Sequence, residues 1–494
     1  MKNITNLGIR FNEISKKYKN NIALNFGNNE KYTYSELSLF SEKIVHLFKK
    51  FKISKDSVIA IESEKNIITF SIIIACWKTG VIYSFFDTDD NSERINKIIK
   101  ILKPSKIFTF KKRGIKNEYL LNKKKISNLK LQSLDTTFLK NKKINAYIMF
   151  TSGSTGFPKG VIISHANLAH FINWSKNTFS ITQNSVLTNL NPLHFDNSVF
   201  DIYSSFLNGA CLVPFKKEEL YNSKKLVSKI NFTKCEIWFS VPSLLNFLLE
   251  IGNTKDFSLI KIKKMIFGGE RFPINSVRKI LKYLKKVQVY NVSGPTECTC
   301  ICSVYKVTDK QIKNSNNISI GKINSYFNYK ILNNSKKNTY GELILEGPAV
   351  SAGYYNNIKD TKKNFFKSKN TYGYKTGDIV KIIKKDNLKI IGRIDNQIKF
   401  LGYRIELEEI ENTIIKQYNI EECLISIKKI NKFPYEKLIC YITKKNIKKM
   451  NTNNLIELTK KLPYYMCPKE IIYIKKFKFN KNGKVDRNFY KSLK

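Results

Sequence analysis

The sequence predicts an α/β protein of more than one domain, and three observations support this fold class. The chain has 494 residues, more than a single hydrophobic core usually organises. Hydrophobic residues make up 42% of it, which is enough apolar material for buried cores. Helix-like segments alternate with short apolar runs over most of the length, a pattern typical of a parallel sheet covered by helices.

The predicted elements follow this alternation from the N-terminus. Segments of helical length and periodicity are Ser35–Phe51, Ser92–Leu102, Ala169–Thr178, Leu220–Ile230, Pro242–Ile251 and Asn275–Lys285. Short apolar runs that predict buried strands are Val58–Glu62, Ile107–Phe110, Ala210–Pro214, Glu236–Ser240, Lys263–Phe267 and Val287–Tyr290.

The C-terminal part of the chain has a different pattern. From Gly341 it becomes rich in strand-like runs and turns, as in GELILEG and DNLKIIGRID. The last hundred residues carry their own α+β set of elements, at Glu406–Gln417, Cys423–Lys428, Leu438–Thr443 and Leu455–Lys461. We therefore predict a large N-terminal α/β domain at residues 1–394 and a small α+β C-terminal domain at residues 395–494.

Membrane and secretory segments are not expected. No apolar run reaches the roughly 20 residues of a membrane helix, and Ile67–Trp77 is interpreted as a core helix. Nine cysteines without a Cys-x-x-Cys pair favour reduced thiols, and the N-terminus has no apolar signal-peptide stretch. Cys298, Cys300 and Cys302 alternate as they would along a strand. We expect a soluble, cytoplasmic protein.

The charge balance is strongly basic. Lysine and arginine number 87 and aspartate and glutamate 39, a net charge of +48. Such an excess often indicates nucleic-acid binding. Here the lysines are spread along the chain beside abundant asparagine and isoleucine, all encoded by AT-rich codons, and no basic block is interleaved with aromatics. We predict no nucleic-acid partner, but a surface that attracts acidic proteins.

The segment YIMFTSGSTGFPKG, residues 147–160, carries the clearest chemical signal. An apolar strand runs into a loop of hydroxyl residues and glycines that ends at Lys159. Glycines let the backbone close around an anion, and hydroxyls with free N–H groups bind phosphate oxygens. The spacing does not fit a Walker A loop, and a plain surface turn is the alternative.

With this loop the chain resembles the adenylate-forming ligases, the superfamily of acyl-CoA synthetases, luciferases and nonribosomal-peptide adenylation domains. TSGSTGFPKG is similar to their phosphate loop. Five more motifs follow in the family's order and cover nearly the full length: FDNSVFD at 195–201, GPTE at 294–297, YKTGD at 374–378, GRIDNQIKFLGYRIELEEIE at 392–411 and NKNGKVDR at 480–487. The resemblance implies the family's fold, with a large multi-subdomain N-terminal domain and a mobile C-terminal domain that turns about a hinge at Asp395.

The resemblance also implies ATP and Mg²⁺ as cofactors. Thr151, Ser152 and Thr155 with Lys159 would hold the β- and γ-phosphates. Asp378, assisted by Arg393, would bind the ribose hydroxyls. The full set of implied ATP-binding residues is Thr151, Ser152, Gly153, Ser154, Thr155, Gly156, Lys159, Gly269, Asn291, Val292, Ser293, Gly294, Pro295, Thr296, Asp378, Ile390, Ile391, Gly392, Arg393 and Lys484.

Three residues are implied as catalytic. Glu297 would bind Mg²⁺, a hard cation that prefers oxygen ligands. Thr296 would contact the α-phosphate. Lys484, in the tight turn Asn-Gly-Lys-Val-Asp-Arg, would bridge the substrate carboxylate and the α-phosphate. Because the reaction concentrates negative charge, such cations and donors must be in place beforehand.

Asp196 indicates the substrate class. A buried carboxylate needs a partner, and the α-ammonium of an amino acid would supply it. A helix-capping aspartate is the alternative. The implied substrate-binding residues are Asp196, Asn197, Phe200, Ile266, Gly268, Val292, Cys300 and Ile301, a mainly apolar set. A small or medium neutral amino acid is therefore predicted. The overall resemblance to stand-alone D-alanine:carrier protein ligases implies D-alanine as a candidate.

Ser293 departs from the family pattern, which has an aromatic residue before GPTE that stacks on adenine. Losing the ring would weaken ATP binding by on the order of 1 kcal/mol. The predicted function is amino-acid adenylation and transfer to the phosphopantetheine of a separate carrier protein, or to coenzyme A. An acyl- or aryl-CoA ligase is the first alternative, and a non-catalytic carrier-binding scaffold is the second.

Overall fold

The computed structural model describes residues 6–131, 143–153, 157–251, 261–284, 286–314, 318–332, 340–384, 386–430, 436–446, 450–451, 453–479 and 485–492. The chain forms two compact units. The larger contains Met1–Thr88, Ile101–Phe150 and Gly160–Ile394. The smaller contains Asp89–Lys100, Thr151–Lys159 and Asp395–Lys494. The division at residue 395 stays a prediction, because two earlier segments group with the C-terminal residues.

The strands are numbered along the chain. They are β1 (Ile22–Gly27), β2 (Glu30–Thr33), β3 (Val58–Glu62), β4 (Ile82–Phe86), β5 (Lys106–Thr109), β6 (Glu118–Leu120), β7 (Asn145–Thr151), β8 (Lys159–Ser164), β9 (Val186–Asn189), β10 (Cys211–Pro214), β11 (Ile237–Ser240), β12 (Lys264–Phe267), β13 (Gln288–Ser293), β14 (Ser303–Lys306), β15 (Lys322–Ile323), β16 (Asn328–Leu332), β17 (Tyr340–Gly347), β18 (Phe365–Ser368), β19 (Thr371–Lys384), β20 (Asn387–Arg393), β21 (Gln397–Phe400), β22 (Tyr403–Glu406), β23 (Cys423–Lys429), β24 (Glu436–Thr443) and β25 (Glu470–Ile474).

The helices are numbered in the same way. They are α1 (Leu7–Lys17), α2 (Tyr34–Lys50), α3 (Ile67–Thr79), α4 (Ser92–Leu102), α5 (Lys123–Ser127), α6 (His165–Thr178), α7 (Asn197–Phe206), α8 (Lys217–Leu220), α9 (Ser223–Thr233), α10 (Pro242–Ile251), α11 (Ile274–Tyr283), α12 (Asp309–Asn314), α13 (Ile358–Asn364), α14 (Leu407–Tyr418), α15 (Asn454–Glu457) and α16 (Arg487–Ser492). Short 3₁₀ turns lie at Thr296–Cys298, Lys444–Asn446, Leu458–Lys460 and Tyr464–Met466.

The described residues of the larger unit form three sheets. A nine-stranded sheet has the order β15-β14-β13-β12-β11-β9-β10-β1-β2, and its central strands from β13 to β1 are parallel. A six-stranded sheet has the order β6-β5-β3-β4-β7-β8. In the third sheet β19 pairs antiparallel with β17, β18 and β20. Parallel strands joined through helices confirm the predicted α/β class.

Helix α3 shows how the local sequence determines the core. It is apolar on all sides, and every residue from Ile67 to Lys78 is buried, as expected for a helix enclosed by protein. Asn66 caps its first turn by accepting a hydrogen bond from the Thr69 amide, and Gly80 ends it in a left-handed conformation. The predicted core helix is therefore confirmed. Within the described ranges, none of the helices combines the length and apolarity needed to cross a bilayer.

The smaller unit contains a hairpin and a sheet. Strands β21 and β22 pair antiparallel, and β24 lies between β23 (antiparallel) and β25 (parallel). Helix α14 contributes Leu407, Ile410 and Ile414 to the core of this unit, where they pack among residues of β23 and β24. The unit has the α+β pattern predicted for the last hundred residues.

The strand expected through Cys298, Cys300 and Cys302 is not formed. Cys298 ends a 3₁₀ turn, and Thr299 and Cys300 have left-handed backbones with φ of 57° and 72°. Strand β14 begins only after them. Side chains alternate between two faces only where the backbone of every residue is extended. The turn at this site breaks that condition, so the three cysteines do not form a strand.

His165 predicts a pH dependence of stability. Its side chain is buried, Nδ1 accepts the Leu7 amide at 3.2 Å, and Nε2 has no partner among the described residues. Burial lowers the pKa of His165 from 6.5 to about 3. As the pH falls, the unfolded chain takes up this proton before the folded chain does. The contribution of His165 to the free energy of unfolding is therefore fully present above pH 6.5, and it falls by about 1.4 kcal/mol per pH unit between pH 6.5 and pH 3.

Urea midpoints at about pH 7.5 and about pH 5.5 measure this loss. We expect His165→Asn, whose side-chain oxygen keeps an acceptor for Leu7, to show a smaller fall between the two pH values. An equal fall in both proteins would assign the acid sensitivity to other groups.

Candidate active site

One edge of the nine-stranded sheet gathers several of the residues predicted from the sequence. Strands β9, β11, β12 and β13 are parallel neighbours, so their carboxyl ends lie along the same edge. The segments that follow these strands carry Asp196, Gly268 and the turn Gly294–Glu297. Ligands of open α/β sheets bind at this edge, which makes it the candidate site.

Asp196 does not cap a helix. It stands immediately before α7, but its side chain makes no capping hydrogen bond. Instead, its Oδ2 accepts a hydrogen bond from Thr296 Oγ1 at 2.7 Å, across 100 positions of the chain. The capping alternative is therefore rejected, and the structure brings together the carboxylate predicted for the substrate amine and the hydroxyl predicted for the α-phosphate.

The residues predicted to line the substrate pocket are largely buried and apolar. Phe200, Ile266, Val292, Cys300 and Ile301 are at most 4% exposed. Burial, with the nearby Asp196 and Asp201 carboxylates, raises the pKa of the Cys300 thiol well above its ordinary value. A thiol in such surroundings stays protonated and behaves as an apolar wall.

Phe239 is a neighbour of these residues that the sequence analysis missed. Its ring packs edge-on against Phe200, with ring centroids 5.0 Å apart. A Cβ on Gly268 would lie 2.8 Å from Val292 Cγ2 and 3.4 Å from the Phe239 ring, so glycine is required there. The only sequence signal for Phe239 is its place near the end of the predicted strand Glu236–Ser240.

The nucleotide motifs on β12 and β13 are placed in the same region. Gly269 has φ of 85°, and a Cβ there would lie 3.2 Å from Asn197 Nδ2. Asn291, Val292 and Ser293 form the end of β13, where Asn291 donates to the Ser319 carbonyl at 2.8 Å.

The turn that follows β13 is tightly packed. A Cβ on Gly294 would lie 2.3 Å from the Cys300 carbonyl oxygen, and Pro295 is the N-cap residue immediately before the 3₁₀ turn. This close packing fixes the turn that carries Thr296 and Glu297.

Glu297, the predicted metal ligand, is fully buried. Its Oε1 accepts a hydrogen bond from the Tyr354 hydroxyl at 2.8 Å, and its backbone carbonyl accepts from the Ser351 amide at 2.8 Å. Tyr354 was missed by the sequence analysis, because no spacing links it to a carboxylate 57 positions earlier. It fixes the orientation of the carboxylate.

Asp378 and Arg393, the predicted ribose-binding pair, lie opposite each other on β19 and β20. The guanidinium and the carboxylate form an ion pair at 2.5 Å. Three other predicted ATP-binding residues lie on β20 beside Arg393. Ile390 pairs with Val380 of β19 and Gly392 pairs with Ile379 of β19, while the Ile391 side chain is 49% exposed. A partly exposed carboxylate held by an arginine suits the recognition of neighbouring hydroxyls.

The predicted phosphate loop belongs to the smaller unit. Thr151 ends β7 and Lys159 begins β8, and the Thr151 hydroxyl donates to the Lys159 carbonyl at 3.5 Å. A Cβ on Gly153 would lie 2.0 Å from the Phe157 carbonyl oxygen, so only glycine fits. Ser154, Thr155, Gly156 and Lys484 lie outside the described residues.

Two hydrogen-bond donors of the predicted phosphate loop are bonded to other residues of the smaller unit. The Ser152 hydroxyl donates to the Arg404 carbonyl at 2.8 Å, and the Gly153 amide donates to Glu409 Oε2 at 3.1 Å. Burial raises the pKa of Glu409, while the Arg94 guanidinium opposes the shift. Glu409 occurs in the motif after Asp395, but the sequence analysis gave it no role. Asp395 itself accepts the Gln397 amide at 3.3 Å, and its hinge role stays a prediction.

The chain is similar to known proteins over most of its length. The family described as AMP-binding enzyme matches residues 11–355. Bacitracin synthase 1 of Bacillus licheniformis is 32% identical over 97% of this chain, which spans only 9% of that protein. The D-alanine--D-alanyl carrier protein ligase of Lactococcus lactis subsp. lactis (strain IL1403) is 30% identical over 96% of both chains.

The fold is found in solved structures. An adenylation domain of Vibrio cholerae in complex with glycyl-adenosine-5'-phosphate superposes with a TM-score of 0.83 and 21% identity, covering 98% of this chain and 96% of that one. This likeness confirms the predicted fold class. Together with the family match over most of the chain and the full-length relative, it confirms the resemblance seen in the motifs: the chain belongs to the AMP-binding enzymes, the adenylate-forming superfamily.

Proposed function

We propose that the protein activates an amino acid with ATP and transfers it to the phosphopantetheine thiol of a carrier protein. The observation that carries the proposal is the Asp196 carboxylate, which is hydrogen-bonded to Thr296 rather than to a helix end. It offers an anionic partner for a substrate ammonium near buried, mainly apolar side chains. Carrier-protein ligase activity is named for the Lactococcus lactis relative, which supports the acceptor.

The chemistry follows in two steps. A carboxylate oxygen of the amino acid attacks the α-phosphorus of ATP, a new P–O bond forms, and the bond to the β-phosphate oxygen breaks to release pyrophosphate. The thiol sulfur then attacks the acyl carbon, AMP leaves, and the thiol proton passes to solvent. We assign the ribose hydroxyls to Asp378, the triphosphate to Lys159 and the loop around it, and the bridging cation to Lys484.

Glu297 is the residue that suits Mg²⁺. It is buried, and Tyr354 donates to one of its oxygens, which orients the carboxylate. Hard oxygen ligands of this kind are the ones that Mg²⁺ prefers. When bound, the ion would neutralise charge on the phosphate oxygens. We therefore propose Glu297 as a magnesium ligand and Tyr354 as the residue that orients it.

Tyr354→Phe tests this orientation. Removing the hydroxyl leaves the ring, which packs against Phe365 with centroids 5.2 Å apart, so the fold is expected to persist. We expect the Mg²⁺ concentration for half-maximal activity to rise about 10- to 100-fold, as for other partners of metal ligands. Tyr355→Phe, next in the chain, is the matched control. An unchanged Mg²⁺ requirement in Tyr354→Phe would contradict the role.

A neutral side chain is the proposed substrate class. Phe200, Phe239, Ile266 and Val292 are apolar and buried, and burying a charged side chain among them would be costly. D-alanine is the specific candidate that the Lactococcus lactis relative supports. We place the reaction in the cytoplasm, which suits nine cysteines that form no disulfide in the described part of the chain.

Carrier loading tests the transfer step. The enzyme is incubated with ATP, Mg²⁺, D-alanine or another neutral amino acid, and two possible acceptors, coenzyme A and a D-alanyl carrier protein in its phosphopantetheinylated form. Intact-mass measurement is expected to show the carrier heavier by one aminoacyl group, and no change in carrier that lacks the phosphopantetheine. Aminoacyl-coenzyme A as the only product would contradict a carrier as the acceptor.

A further inference from the structure

Resting on the proposed function, we propose that Glu342 is a positioning residue for Asp378 and thereby contributes to the recognition of the ribose hydroxyls of ATP. Glu342 lies on β17, and the sequence analysis gave it no role. Its Oε1 accepts a hydrogen bond from the Gly377 amide at 3.0 Å, across 35 positions of the chain. Gly377 directly precedes the carboxylate that is assigned to the ribose.

Asp378 lies in a bulge of strand β19. Between two register pairs of β17 and β19, Leu343 alone faces the three residues from Thr376 to Asp378. Within the bulge Gly377 has a left-handed backbone with φ of 71°. Bulges are frequent beside active sites, where they redirect a side chain from the alternation of the strand. The direction of the Asp378 side chain therefore depends on the shape of the bulge.

Side chains supply the acceptors for two amides of this bulge. Glu342 accepts from the Gly377 amide, and the Thr376 hydroxyl accepts from the Asp378 amide at 3.1 Å. The same hydroxyl donates to the Leu343 carbonyl at 2.7 Å. A hydrogen bond to an ionised acceptor is about twice as strong as one between neutral groups. We therefore expect the Glu342 carboxylate to stabilise the bulge more than the Thr376 hydroxyl does.

Other contacts hold this part of the sheet when Glu342 is replaced. The Gly377 carbonyl accepts a hydrogen bond from the Ile394 amide at 2.9 Å, and the Arg393 guanidinium pairs with the Asp378 carboxylate. Loss of the Glu342 bond is therefore expected to displace Asp378 without unfolding the sheet. Because a misplacement of about 1 Å can cost about 100-fold in a site that needs exact geometry, a smaller displacement is measurable.

The test compares the binding of ATP and 2′,3′-dideoxy-ATP by isothermal titration calorimetry, with Mg²⁺ and without amino acid. The ratio of the dissociation constant for dideoxy-ATP to that for ATP isolates the ribose hydroxyls, because both nucleotides share the base and the triphosphate. The ratio is measured in the native protein and in Glu342→Ala, Glu342→Gln, Asp378→Asn and the Glu342→Ala/Asp378→Asn double variant.

Glu346→Ala is the matched control. Glu346 is a second carboxylate on β17, but it accepts hydrogen bonds from the Ser368 hydroxyl and the Lys330 ammonium rather than from the bulge. We expect this variant to keep the native ratio to within about twofold, because surface substitutions of this kind have small effects.

In the native protein we expect dideoxy-ATP to bind about 10- to 100-fold more weakly than ATP, since hydrogen bonds to a charged group are the stronger ones. Glu342→Ala should lower this ratio about fivefold and leave the affinity for dideoxy-ATP unchanged. Glu342→Gln keeps an oxygen acceptor for the Gly377 amide and should stay within about twofold of the native ratio. In the Asp378→Asn background, Glu342→Ala should change the ratio by less than about twofold.

The possible failures are distinguishable. If the native protein binds neither nucleotide, the proposed function is overturned, because activation requires ATP. A native ratio near one would overturn the ribose assignment of Asp378 and, with it, the positioning role of Glu342. A large native ratio that Glu342→Ala leaves unchanged, or an equal loss of affinity for both nucleotides in that variant, would overturn the positioning role alone.

Discussion

Asp196→Asn is expected to lose the amino-acid substrate. The substitution keeps the size and a hydrogen-bond acceptor but removes the negative charge that would pair with the ammonium. Truncating one partner of such a pair costs about 2–5 kcal/mol, so kcat/KM for the amino acid should fall about 30- to 4,000-fold. The measurement is amino-acid-dependent ATP–pyrophosphate exchange at saturating ATP.

Asp56→Asn is the matched control. It makes the same change from a carboxylate to an amide, but at an exposed position, since the Asp56 side chain is 58% accessible. We expect it to exchange at the native rate. The result also separates the family's reaction classes. An acyl- or aryl-CoA ligase has no ammonium to bind, so full activity of Asp196→Asn with a hydrophobic carboxylic acid would favour that alternative and contradict the assignment of Asp196.

Lys484→Ala is expected to abolish adenylate formation while ATP binding is largely retained. The lysine is assigned to the bridge between the substrate carboxylate and the α-phosphate, where negative charge accumulates in the transition state. Removing one preorganised donor of this type costs about 10²- to 10³-fold in rate. Single-turnover formation of aminoacyl-AMP and calorimetric ATP binding are the two measurements.

Lys476→Ala provides the comparison for Lys484. Lys476 is an exposed lysine a few positions earlier in the same chain segment, and its loss should leave both quantities unchanged. Undiminished adenylate formation by Lys484→Ala would refute the catalytic assignment of the NKNGKVDR loop. Loss of ATP binding and rate together would make Lys484 a binding residue rather than a residue of the chemical step.

Local signals predicted much of the fold because they act over a few residues. The strand Val58–Glu62 and the helix Pro242–Ile251 have the predicted bounds. Their lengths decided the type of element, because a short apolar run favours a strand and a run of about ten residues favours a helix. The segment around Cys300 was predicted wrongly for the same reason. An alternation of residue types along the sequence does not reveal a turn, and here Thr299 and Cys300 both have left-handed backbone conformations.

The candidate site was predictable in its members but not in its contacts. Motifs identified Asp196, Thr296 and Glu297 one by one. That Thr296 bonds to Asp196, and Tyr354 to Glu297, follows only from the parallel strands and turns that bring distant segments together. Phe239 likewise joins Phe200 only through the neighbouring strand β11. Spacing along the chain contains no information on these pairs.

The most direct test of the central claim is ATP–pyrophosphate exchange across a panel of amino acids that includes D-alanine, glycine and the neutral aliphatic residues, each paired with its acid lacking the amine. The account predicts exchange with one or a few neutral amino acids and none with the matching acids. Exchange with an acid that has no amine, or ATP binding without exchange for any amino acid on the panel, would contradict it.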